Sequence, residues 1–168
     1  MKLFSLRAGA SLLLAFVLLA TMLVPAFAAE PAATFSSPYV FTEQSIGTSI
    51  TGRWTGSLDT SKDNLGAVIT VKSGFHGTII LDNVVIEGLG EYGAAIKVEA
   101  GANPTFMIQG NNILTSCSYR AGIEVGVNAR VNLIGSGVLH VQGGAYGAGI
   151  GGGSGMGAGT IGIANHSS

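Results

Sequence analysis

From Leu65 onward the chain alternates short apolar pieces with Gly, Asn, Asp and Ser, and no stretch keeps the ~3.6-residue period of an amphipathic helix. Runs of Val, Ile and Thr bounded by turn formers predict β-strands. The pieces also recur. LGAVITV from Leu65, YGAAIKV from Tyr92, YRAGIEV from Tyr119 and YGAGIGG from Tyr146 start 27 residues apart. Ala67, Ala94, Ala121 and Ala148 coincide in this frame, as do Ile69, Ile96, Ile123 and Ile150.

A second apolar block follows in each unit, at Thr78–Leu81, Thr105–Ile108, Val131–Ile134 and Thr160–Ile163. A third appears at Val84–Ile86, Ile113–Leu114 and Val138–Val141, and the later blocks are expected to slip by about two residues. A unit this short cannot bury its own apolar face, so copies must stack. Propeller blades are longer, and the Leu/Asn consensus of leucine-rich repeats is missing. The expected fold is therefore all-β, a right-handed parallel β-helix of about four turns. Ala94 and Ile96 should point inward with their copies, beside the columns Ile79/Phe106/Val131 and Leu81/Ile108/Leu133, because alternate strand residues share a face. Lys97 over Glu124 should form a solvated ladder on the outside.

The first 28 residues change where this domain would reside. Lys2 and Arg7 precede an apolar run, SLLLAFVLLATMLV, and Ala26-Phe27-Ala28 supplies a cleavage site. The run is short for a membrane span of ~20 residues, so we expect a cleaved signal peptide (1–28) and no membrane insertion afterwards. An N-terminal segment and capping turn (29–64) would then precede the repeats (65–168). The capping segment contains the alternating SIGTSITGRW and the only Trp, Trp54. The repeat array would be incomplete at its C-terminus, as in a fragment of a longer protein.

Without Lys2 and Arg7 the chain has 6 basic against 9 acidic residues, which excludes a basic nucleic-acid footprint. One cysteine, Cys117, excludes an internal disulfide. Glycine is the compositional outlier: 26 of the 27 follow residue 28, without the three-residue period of collagen. Eleven lie between residues 143 and 162, where we expect tight corners requiring positive φ. The Gly-x-Gly-x-x-Gly string from Gly147 has no βαβ context and no ribose-binding acid, so it is not read as a nucleotide site.

The sharpest chemical candidate is the column Tyr92, Tyr119, Tyr146. Residues one repeat apart lie above one another, at ~4.8 Å in a stacked solenoid. The rings form either an internal stack or an external platform for the C–H faces of sugars, with Glu91, Arg120 and Ser118 as neighbouring hydrogen-bonding groups. The acids Asp59, Asp63, Asp82, Glu87, Glu91, Glu99 and Glu124 occupy scattered repeat positions, where lysis or hydrolysis of a glycan needs them clustered or paired. His76, His140 and His166 share no position, so no metal ligands are assigned, and Cys117 is read as a packed thiol.

The units YGAAIKVEAGANPTFMIQGNNIL, YRAGIEVGVNARVNLIGSGVLHV and YGAGIGGGSGMGAGTIGI resemble those of bacterial extracellular right-handed parallel β-helix proteins. These are the carbohydrate-binding-domain or adhesin-like surface proteins, and the resemblance covers about residues 65–163. It implies a secreted, cell-surface module that binds a polysaccharide or cell-surface glycan, with Ca2+ in some relatives and with further β-helix or anchoring domains as neighbours. The chain departs from the pattern after AGIGGG, where GTIGIANHSS stops before the usual next strand. The expected function is non-catalytic carbohydrate binding. The alternatives are a structural stalk or adhesin repeat and, below that, a polysaccharide lyase-like enzyme.

Overall fold

The computed structural model describes residues 33–46, 48–58 and 66–164. The expected export signal, Asp59, Asp63, Leu65 and His166 lie outside those residues. Thirteen strands and no helix make up the described chain: β1 (Thr34–Phe35), β2 (Tyr39–Phe41), β3 (Ser49–Trp54), β4 (Ala67–Val71), β5 (Thr78–Ile86), β6 (Ala94–Val98), β7 (Thr105–Gln109), β8 (Asn111–Thr115), β9 (Ile123–Val125), β10 (Arg130–Gly135), β11 (Val138–Gln142), β12 (Ile150–Gly151) and β13 (Thr160–Ile163). Every pairing between them is parallel.

The chain therefore winds as a parallel β-solenoid of about four turns. One face is the sheet β2-β4-β6-β9-β12. The second runs through β3, β5, β7, β10 and β13, and the third stacks β11 on β8 and β8 on the latter half of β5. Strand β5 serves two faces because it bends at Asn83, which has φ 55°. Before the bend Ile79 pairs with Phe106; beyond it Val85 pairs with Ile113, one residue out of the 27-residue frame.

Asn112 sits at that extra position, fully buried. Its side-chain oxygen accepts from the Val84 amide at 2.9 Å, and its amide donates to the Gln109 carbonyl at 2.8 Å and the Val138 carbonyl at 3.3 Å. One side chain thus stitches three successive coils and leaves no buried polar atom unsatisfied, the condition for tolerating it in a core. Its role escaped the sequence reading, which treated the third block as simple slippage.

Ile69, Ile96 and Ile123 stack in register, each wholly buried. Like residues on like repeat the same contact from layer to layer, and each such isoleucine removed from water contributes roughly 1.5–3 kcal/mol. Two expected columns need correction. From β7 to β10 the second block keeps the 27-residue frame: Phe106 meets Leu133 and Ile108 meets Gly135. Val131 is buried two residues earlier, stacked on Ile161. The shift is even, so the inward residues stay inward. Ala95 is buried beside Ile96 too, and its amide donates to the buried Ser116 hydroxyl at 2.7 Å. Ala94 is buried as well, outside the main apolar cluster.

Candidate functional site

Three β-turns connect the third face to the first, and each is closed by a backbone bond from its fourth residue to its first: Gly93 to Gly90 at 3.0 Å, Arg120 to Cys117 at 3.1 Å and Gly147 to Gly144 at 3.0 Å. The third residue of each turn is the tyrosine of the repeat. Because the turns lie one circuit apart, the rings pile up: Tyr92 and Tyr119 have centroids 5.1 Å apart at 10°, and Tyr119 and Tyr146 are 5.4 Å apart at 19°.

The column lies at the surface. Tyr92 and Tyr119 are partly buried, and Tyr146 is 65 % exposed. Stacking this close covers the facing sides of neighbouring rings, so the middle ring presents its edge and Tyr146 one open side. Glu91 and Ser118, the second residues of their turns, are exposed beside it. Partial burial of the ring and then the charge of Glu91 push the Tyr92 hydroxyl above the usual phenol range.

Arg120 is elsewhere than a sugar-contacting group would be. It is 1 % exposed and forks onto Glu124, Nε to Oε2 at 2.5 Å and Nη2 to Oε1 at 3.0 Å. The remaining Nη1 donates to the Tyr92 carbonyl at 2.9 Å. This corrects the expected solvated ladder. Lys97 and Glu124 do stack in register, but Glu124 is 6 % exposed and is neutralised by Arg120.

The sequence signal was present in two departures from the repeat. Arg120 stands where the other units have Gly66, Gly93 and Gly147, and Glu124 where they have Thr70, Lys97 and Gly151. What a repeat alignment cannot supply is the cover. Gly153 lies so close that a Cβ there would stand 3.0 Å from Glu124 Oε2 and 3.0 Å from the Tyr119 carbonyl oxygen. The Ser154 amide donates to that same carbonyl at 2.8 Å.

The glycine-rich stretch also has another cause than expected. Of its eleven glycines only Gly151 and Gly155 have positive φ. At Gly144, Gly147 and Gly159 the limit is space, since a Cβ would run into the carbonyl oxygens of Cys117, Arg120 and Ala129. Backbone packs directly on backbone here.

Cys117 donates its thiol to the Glu91 carbonyl and, at 3.1 Å, to the Gly93 carbonyl. Burial pushes the thiol up against the opposing pull of neighbouring amides, so it stays protonated at neutral pH. Among the acids, Glu87 pairs with Arg53 at 2.9 Å, Glu99 with Lys72 at 2.7 Å and Glu124 with Arg120. Asp82 accepts from Asn83 at 2.9 Å. Among the described residues no three His, Cys, Asp or Glu come together as a metal site.

The chain was compared with family models, with curated proteins and with solved structures, and none of the three comparisons gave a match.

Proposed function

We propose that this chain is a non-catalytic, exported carbohydrate-binding module displayed at a cell surface, with polysaccharide or cell-surface glycan as its ligand. The observation that supports this reading is the tyrosine column at the solenoid surface, with its outermost ring 65 % exposed. An open phenol ring packs on the C–H face of a sugar, while phenol hydroxyls along the column donate to or accept from sugar hydroxyls and the Glu91 carboxylate beside Tyr92 accepts from them. The open side of Tyr146 is the stacking surface, and the ring edges of Tyr119 and Tyr92 extend the contact along the axis. Such a repeated contact suits a polymer better than a single small molecule.

The structural-stalk reading draws on a different feature of the same column: its inner ring faces cover one another, as packing rings do. A glycan array on the mature chain, read with and without calcium, separates the two. Carbohydrate binding predicts retention that falls at least tenfold in Tyr146→Ala and disappears in Tyr92→Ala/Tyr119→Ala while the fold survives. A blank array on folded protein leaves the stalk.

A further inference from the structure

Arg120 touches all three tyrosine turns. Its side chain holds the Tyr92 carbonyl of the preceding coil, its residue closes the Tyr119 turn, and its own carbonyl accepts from the Gly144 amide of the following turn at 3.0 Å. Glu124 fixes the guanidinium plane through two bonds. A buried ion pair gains little net stability over apolar side chains of the same size, because both charges lose their water. A planar fork bonded on two sides does, however, define direction more tightly than a point charge can.

Neighbouring coils close the same turn with glycine at this position, so closing the turn does not require the arginine. From this we infer that Arg120 and Glu124 are a positioning pair. They set the Tyr119 turn relative to the Tyr92 and Tyr146 turns, and so hold the phenol column in the arrangement that the proposed glycan contact uses. The inference deepens that reading and rests on it for its ligand, but the positioning itself is measurable without one. The glycine at 153 belongs to the device, since only a residue without Cβ lies against both Glu124 and the Tyr119 carbonyl without displacing them.

The test is the double variant Arg120→Gly/Glu124→Lys, which gives this coil the residues that the preceding coil already carries at Gly93 and Lys97. Near-ultraviolet circular dichroism reads the coupling between stacked phenols, and Tyr119→Leu defines how much of the signal the stack supplies. The double variant should lose most of that share while far-ultraviolet strand signal is kept, and retention on the best array glycan should drop about tenfold. Arg120→Lys keeps the charge and cannot fork, so it should lose the same share of the tyrosine signal; it is the deciding variant if the double variant does not fold. An unchanged tyrosine signal in a folded variant overturns the inference. Loss of the signal in a protein whose parent retains no glycan upholds the positioning and removes only the carbohydrate reading.

Discussion

The first circuit of the solenoid is closed by aromatic rings, whereas the last described one is built largely of glycine. At the first end Phe35 meets Tyr39 and Trp54 edge-on, with centroids 5.6 and 5.5 Å apart, and Phe41 tilts against Phe75 at 5.4 Å. Trp54, Phe41 and Phe75 are buried. At the other end Ile163 is 74 % exposed, and Ile108, Leu133, Leu139, Ile150 and Ile163 line an open cleft of about 250 Å³. The two ends obtain their order differently. Rings cover a layer by area removed from water, while glycines let one backbone lie on another and hold it by amide-to-carbonyl bonds, with little apolar area gained.

Substitutions at the two ends should therefore differ in size and in kind. Trp54→Ala should have the largest effect, a loss of about 3–5 kcal/mol in the denaturant midpoint analysis, because it empties the ring cluster. Gly144→Ala should follow, costing about 1–3 kcal/mol through forced displacement of the Cys117 turn. Gly155→Ala, open around its Cβ but at φ 68°, should cost only about 1 kcal/mol. Ile163→Ala should change stability by less than about 0.5 kcal/mol; a loss comparable to that of Trp54→Ala would mean the open end is covered in solution.

The smallest effect concerns pH. The Tyr92 hydroxyl is held above its ordinary range, so the folded chain keeps this proton longer than the unfolded chain does. Its contribution is complete below the ordinary phenol range and drains away as pH rises through the folded value. Tyr92→Phe has no such proton to lose, so its stability should fall slightly less between neutral and alkaline pH than the parent's. An equal fall in both would count against the crowding inferred for this ring.

Much of the fold was legible because stacking converts sequence period into contact. The equal spacing of Ile69, Ile96 and Ile123 required only that one circuit equal one repeat, and the tyrosine stack followed from the same condition. The boundaries of that legibility are local. Pairing Phe106 with Val131 assumed a two-residue slip between blocks, whereas the structure keeps the 27-residue frame here and takes Leu133. Lys97 and Glu124 have opposite charges at one position and read as a ladder, yet the arginine four residues earlier is nearer and is shielded from water. Asn112 looks like a turn former, and only the bend in β5 makes it a buried bridge.

By itself the sequence determined the solenoid, its period and the tyrosine column, because each depends on residues separated by a constant number of positions along the chain. The tertiary structure alone decided which polar groups leave water. The burial of Glu124 depends on a glycine segment about one repeat further on folding back over it, and no periodicity encodes that cover. Solvent exclusion is a property of everything that packs around a group, so the same carboxylate that looks solvated along the strand becomes, in the folded chain, the buried partner of Arg120.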